Sequence, residues 1–418
     1  MELIDKSKIE KEVPELPNGI LTTLLDAAVS LNINSIAIVG GVVRDLITKS
    51  KNQDCEILFN DLDILIEGET STYVKELQKI LGPKKLKIIR NSSTYKTSEI
   101  TINGIKIDIA SARKETYPIP AENPIVELST IKNDLIRRDF NINAMAIELK
   151  SNNLIDLFSG IDSIYKKKID FLHNSSVLED PTRIIRASRY SAKLDFRLSN
   201  QALRQIKDTI NKWPWNWHLG DNTDLAPSAL STRLRMELEL LLKSKYWKTA
   251  LKNLQDCEGL RILDSKLQND RKLIEKILIA KKSNIEPITA LVYESKNPIS
   301  LAKRLHLNRQ QEEIIEGACQ LNKYLDNLLV NDLYKKWSAS KWTIFLEEIN
   351  ANEASFILEI CKAHPLKEYL KSWLFNWRNM KSPVNGDDLI AKGWEPGPGI
   401  GIELKRQRMK LIDKTNSF

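Results

Sequence analysis

The sequence predicts an α+β protein, with a small mixed sheet in the N-terminal part of the chain and a nearly all-helical remainder. Two observations predict it. From Ser35 to about Leu157, short β-branched runs alternate with turns, and the strand signal stops after Asp156-Leu157-Phe158-Ser159-Gly160. From Pro181 onward, apolar residues recur at three- and four-residue spacing, as in Leu230, Leu234, Leu238 and Leu241, which is the period of a helix face.

In chain order, β-branched runs predict strands over 35–39, 62–66 and 86–89, and helical pattern intervenes over 42–48 and 72–81. Asn103-Gly104 joins the runs 99–102 and 105–110 and supplies the positive φ angles of a tight two-residue turn, so the three pieces read as a β-hairpin. A last strand is expected over 144–149. In the helical part, proline interrupts the pattern near 212–217, 284–287, 295–298 and 381–383. No internal repeat or low-complexity tract is present.

The chain has 418 residues, enough for two to four domains with their own cores. The N-terminus is charged from the start, and no apolar run approaches the roughly 18 residues of a membrane span, so a cytoplasmic setting without a membrane is expected. Cys55, Cys257, Cys319 and Cys361 are far apart, with no C-x-x-C pair, and are expected as free buried thiols. The formal net charge of +8 favours a polyanionic partner. Only four histidines occur, none in an H-x-x-x-H pair, which leaves little material for histidine metal sites or Ser-His-Asp catalysis. Carboxylates must carry the chemistry.

In Asp61-Leu62-Asp63-Ile64-Leu65-Ile66, the strand period of two puts Leu62, Ile64 and Ile66 on one face and both acids on the other. Two acids side by side need a cation, and hard oxygen ligands at that spacing suit Mg²⁺. An edge strand with a wet polar face would carry the same pattern. In the hairpin, Ile105, Ile107 and Ile109 share one face while Lys106, Asp108 and Ala110 share the other, so Asp108 can join Asp61 and Asp63. Three carboxylates around two metal ions can activate a hydroxyl and stabilise the leaving oxygens of an in-line attack on phosphorus.

Gly40-Gly41 follows the first strand and precedes a helix, where glycine lets backbone amides approach phosphate oxygens and Arg44 can reach the outer phosphates. A tight turn with Arg44 paired to Asp45 is the alternative. Arg137-Arg138-Asp139-Phe140-Asn141-Ile142-Asn143 clusters two guanidiniums, an acid and two amides, suited to a triphosphate and a ribose; surface ion pairs are the alternative for the arginines. Glu179-Asp180-Pro181-Thr182-Arg183 opens a helix, with Asp180 as N-cap and Pro181 at the first position. Asp180 and Arg183 also share a face, where each can orient the other. Together they would accept cytosine and adenine, which present an amine beside an acceptor, and reject uracil and guanine. Arg186 and Arg189 continue the basic side of this helix.

In this order the motifs GGVVRD, DLDIL, KIDIASAR, RRDFNINAMA, DLFSG and EDPTRIIRASRYSAKLDF resemble those of class II tRNA nucleotidyltransferases, the CCA-adding enzymes, together with bacterial poly(A) polymerases. Arg233-Leu234-Arg235-Met236-Glu237-Leu238 is similar to the family's neck helix, with Thr232 where many relatives carry Glu. The resemblance implies a nucleotidyltransferase head over 18–157, a helical neck over 158–245, a body over 246–340 and a tRNA-binding tail over 341–418. It implies Asp61 and Asp63 as metal ligands with Asp108 as the third carboxylate. It further implies Arg137, Arg138, Asp139 and Asn143 on the triphosphate and sugar, and Glu179, Asp180 and Arg183 as a protein template for CTP and then ATP. The glycines of 393–401, ahead of Lys405-Arg406-Gln407-Arg408, resemble the tail of some members and could meet an RNA phosphate.

The function this implies is template-independent addition of CMP and AMP to the 3′ end of tRNA, with Mg²⁺ as cofactor, CTP, ATP and tRNA as partners, and no protein partner. Enzymes adding only CC or only A, poly(A) polymerase, and an RNA-binding protein on the same scaffold are the alternatives.

Overall fold

A computed structural model describes residues 6–13, 15–51, 61–331, 333–360 and 366–415. The chain divides into two compact units, one formed by Met1–Leu219 with Ala226–Ile262 and the other by Gly220–Leu225 with Leu263–Phe418.

The first unit is built on a seven-stranded sheet. Its strands are β1 (Ile36–Val39), β2 (Leu62–Ile66), β3 (Leu86–Ser92), β4 (Thr97–Ile102) and β5 (Ile105–Ser111), and, after the ribbon of β6 (Arg113–Thr116) and β7 (Ile125–Leu128), β8 (Met145–Glu148) and β9 (Leu154–Asp156). The spatial order is β3-β4-β5-β2-β1-β8-β9. In this sheet only β2 and β5 run parallel; the other neighbours are antiparallel. The expected hairpin is present, with Asn103 at φ 51° and Gly104 at φ 87°. Strands β6, β7 and β9 go beyond the sequence expectation. Arg113-Lys114-Glu115-Thr116 has no apolar alternation, and its ribbon with β7 is half-exposed. Nor is the chain strand-free after Gly160: Lys168–Ile169 and Arg197–Leu198 pair in parallel, a correction too short to show as a pattern.

The two faces of the sheet differ. Ile38, Ile64, Ile100, Ile107 and Ile109 are buried on one face, where the helix Thr70–Leu81 packs against β3, β4 and β5. Tyr73 of that helix is wholly buried and donates to the carbonyl of Leu24 at 2.7 Å, tying it to the helix Ile20–Ser30. The other face is small and apolar at one end, where Ala37, Val39, Leu65, Ala112 and Ala146 pack beneath Ile131 and Leu135. Alanine removes bulk there, so the short helix Ile131–Ile136 lies close to the strands. Thr130 caps it by accepting from the amide of Asn133, and its end releases Arg137 and Arg138 toward the acids of the same face.

Helices complete the unit, among them Thr182–Leu194 and Thr232–Lys243, which pack on each other. Trp215 and Trp217 are buried; Trp215 Nε1 donates to the carbonyl of Leu178 at 2.9 Å and Trp213 Nε1 to that of Trp217 at 2.6 Å.

The second unit is helical in its described residues. The helices Pro287–Tyr293 and Pro298–Arg304 both begin on the prolines that break the sequence pattern. Arg309–Val330 opens with a reciprocal capping box between Asn308 and Gln311. Near the C-terminus, Asn385 and Asp388 form another, and Gly399 and Gly401 lie inside the helix Pro398–Thr415 rather than in a loop ahead of it. Arg406 pairs with Glu403, and Arg408 with Glu347 and the carbonyl of Met380. Cys257 is a buried free thiol, and Cys319 is half-buried, less enclosed than expected; Cys55 and Cys361 lie outside the described residues. No helix among the described residues is long and apolar enough to cross a membrane.

Candidate active site

The acids meet because of strand register. Asp63 of β2 and Asp108 of β5 are direct partners across the parallel pair, and Glu99 of β4 lies opposite Asp108. Asp61 immediately precedes β2. Lys106 joins them: its Nζ is 3.2 Å from Asp108, 3.6 Å from Glu99 and 3.9 Å from Asp61. Burial raises the Asp63 carboxyl to about 6, and the negative charge of Asp61 adds to that rise, with Arg138 opposing it. A buried acid beside two others is under-compensated by its own protein, which favours a cation.

Among the described residues, no three His, Cys, Asp or Glu side chains converge as a finished metal set. Asp61, Asp63 and Asp108 offer only oxygen donors, few in number. This fits a hard ion such as Mg²⁺, which keeps water and substrate phosphate in its shell.

Gly40 has a role the sequence did not reveal. Its φ is +74°, and a Cβ there would stand 2.6 Å from Asp63 Oδ2. The missing side chain makes room for the carboxylate as well as bending the chain into the helix Gly41–Lys51.

Gly40, Gly41, Arg44, Asp61 and Asp63 line a cleft of about 1010 Å³ together with Arg137, Arg138, Asp139, Asn143, Asp180, Arg183, Arg186 and Arg233. Its arginines are anchored. Arg44 donates to Asp45 at 2.8 Å and to Asn143 Oδ1 at 2.9 Å. Arg137 and Arg138 are held by Asp134, which is fully buried, at 2.6 and 3.2 Å, and Arg137 also by Glu115 at 3.1 Å. Arg186 bridges Asp139 at 2.7 Å and Glu237 at 2.8 Å. Burial alone would raise the Asp139 carboxyl, but Arg186 outweighs it and keeps it below the usual range. Tyr190 lies beneath the guanidiniums of Arg44, Arg186 and Arg189, at 5.9, 5.8 and 5.2 Å from the ring centre. Guanidiniums fixed in this way present their remaining donors to an anion at little further ordering cost.

Several expectations need adjusting. Both readings of Arg44 hold, since it pairs with Asp45 and lines the cleft. Arg137 and Arg138 do form ion pairs, though on a buried acid. Asp180 and Arg183 do not fix each other. Asp180 pairs with Arg233, whereas Arg183 donates to the carbonyls of Ser176 at 3.3 Å and Arg137 at 3.1 Å. The helix starts at Thr182, one residue later than expected, with Pro181 rather than Asp180 at its N-cap, while Asp180 accepts from the Thr182 amide at 3.1 Å and hydroxyl at 2.6 Å. Glu179 does not line the cleft itself; it borders an adjoining cavity of about 380 Å³ that shares Tyr117, Arg137 and Arg183 with the cleft. Asp108 borders a third, of about 490 Å³, which shares Asp63 and Arg138 with the cleft.

Asp134, Glu237 and Arg233 were missed as site residues. Asp134 stands three and four residues before the paired arginines, a helical spacing that could have flagged it. Arg233 and Glu237 reach the site only through the packing of two helices far apart in sequence.

Residues 36–170 match the family described as the Poly A polymerase head domain. An A-adding tRNA nucleotidyltransferase of Aquifex aeolicus (strain VF5) is 31% identical over 395 residues, covering 90% of this chain and 45% of that protein. The chain thus spans under half the length of this curated relative. A solved CCA-adding enzyme, in an apo form, aligns with 99% of this chain and 96% of its own at a TM-score of 0.70 and 27% identity. The Thermotoga maritima CCA-adding enzyme complexed with tRNA aligns over the same shares, with a TM-score of 0.65 and 25% identity. Residues 36–170 thus carry a head domain of the Poly A polymerase type, and nearly the whole chain is similar to tRNA nucleotidyltransferases.

Proposed function

We propose that the chain adds CMP and AMP from CTP and ATP to the 3′ end of tRNA in the cytoplasm. The observation that carries this is a single wall in which Asp63, beside Asp108, opens onto the arginine-lined cleft that also holds Asp180. The triphosphate lies against Arg44, Arg137, Arg138 and Arg186, with Asn143 and Asp139 at the sugar. The 3′-hydroxyl oxygen of the RNA gives up its proton to solvent and bonds to the α-phosphorus, the bond to the bridging oxygen breaks, and pyrophosphate leaves with that electron pair. Asp61 and Asp63 would hold Mg²⁺, which when bound would lower the hydroxyl pKa and offset charge on the leaving oxygens. Asp108 supplies the third carboxylate. Asp180 accepts from the exocyclic amine of cytosine or adenine, and Arg183 donates to the neighbouring ring nitrogen, whereas uracil and guanine leave both unpaired.

Labelled NTPs offered with tRNAs ending before CCA, at C and at CC, and with a short oligo(A), test the proposal. CMP and AMP incorporation on the truncated tRNAs supports it; UMP or GMP incorporated as readily would sink the template role of Asp180 and Arg183. Addition of A alone is a second reading, favoured by the name of the Aquifex relative, and predicts that only the CC-ending tRNA is extended.

A further inference from the structure

Lys106 stands where the acids of the sheet converge. Its ammonium lies within 4 Å of carboxylates from three segments: 3.2 Å from Asp108 on its own strand, 3.6 Å from Glu99 on β4, and 3.9 Å from Asp61 ahead of β2. Two of these acids, Asp61 and Asp108, belong to the set assigned above to divalent-ion binding, and in both the oxygen nearest the ammonium is Oδ2. A lysine and a divalent ion cannot share those oxygens without cost, because the two cations repel and draw on the same lone pairs. Of the guanidiniums nearby, Arg138 offsets some of the charge at Asp63 but forms its ion pair elsewhere. Arg137 and Arg138 are held by Asp134, and Arg186 by Asp139 and Glu237.

We propose that Lys106 is a resident counter-ion of the acid face, which a divalent cation must displace from Asp61 and Asp108 in order to bind. The inference rests on the metal role given to Asp61 and Asp63 under the proposed function. Displacement is mechanically easy. The side chain is 39% exposed, and a lysine's four-carbon stem lets its head swing into water while the stem stays on the sheet. The arrangement lowers affinity for the ion and in return makes the ion-free state tolerable, since four neighbouring acids without any cation would repel one another.

The test is Mn²⁺ binding to the full chain, read from the electron paramagnetic resonance of free Mn²⁺ at low salt, with thermal unfolding in parallel. Lys106→Met is expected to tighten Mn²⁺ binding about three- to ten-fold. Lys106→Arg, which keeps the charge, is expected to stay within about twofold of the wild type. In EDTA, Lys106→Met should unfold at a lower temperature than the wild type, with the gap closing as Mn²⁺ is added. Binding by Lys106→Met that equals or falls below that of an Mn²⁺-competent wild type overturns the proposal and leaves the metal site standing. Wild-type binding no tighter than that of Asp63→Asn overturns the metal site itself, and the counter-ion role with it.

Discussion

The acid face of the sheet and the arginine wall of the cleft carry opposite charge and are built on opposite principles. On the wall, Arg44, Arg137, Arg138, Arg186 and Arg233 are each paired with a carboxylate, and Asp134 is sealed away to serve two of them. On the sheet, Asp61, Glu99 and Asp108 share the single ammonium of Lys106, with Asp63 beside them. The wall is balanced by its own residues and so holds its shape before any ligand arrives. The acid face is not balanced by its own residues, which is why a cation from outside is proposed for it.

The largest losses are expected at the acid face and the smallest at the periphery of the wall. Asp63→Ala should lower nucleotide incorporation about a thousandfold or more in single-turnover assays. Its tRNA affinity should stay within about threefold, because phosphate contacts elsewhere carry binding. Retained turnover would end the metal assignment. Gly40→Ala places a methyl 2.6 Å from Asp63 Oδ2 at a φ of +74°, and displacing that carboxylate should cost about a hundredfold in turnover.

On the wall, Asp134→Ala leaves Arg137 and Arg138 without their buried partner and should reduce unfolding free energy by about 3 kcal/mol in urea titrations. A loss under about 1 kcal/mol would mean that the arginines do not depend on it. Arg233→Ala frees Asp180 from its ion pair and should cut the preference for CTP over UTP about tenfold, measured as a ratio of kcat/KM. Glu179→Gln, in the adjoining cavity, should change that ratio by less than about twofold; a larger change would support its place in the template.

The parts of this design visible in the sequence are those with a local period. Alternation in 61–66 and 105–110 gives the faces of Asp63 and Asp108, and Asn103-Gly104 gives the turn that brings β4 and β5 together. The parts that were hidden are relations between segments. That Asp180 pairs with Arg233 rather than Arg183 depends on how the helices Thr182–Leu194 and Thr232–Lys243 pack, and no spacing within either helix contains it. Likewise Gly40 signals a turn, but its close approach to Asp63 arises only when β1 and β2 pair, with Val39 opposite Asp63. The ribbon of β6 and β7 carries too little apolar alternation to be seen.

The alanines beneath the helix Ile131–Ile136 set a thickness. Ala37, Ala112 and Ala146 fix how near that helix rides to the sheet, and Arg137 and Arg138 hang from its end. They act as shims: one added methyl group here would lift the lever that carries both guanidiniums, altering their reach over Asp63 without touching either charge. The spacing between the two guanidiniums and the acid face can therefore be tuned from inside the hydrophobic core.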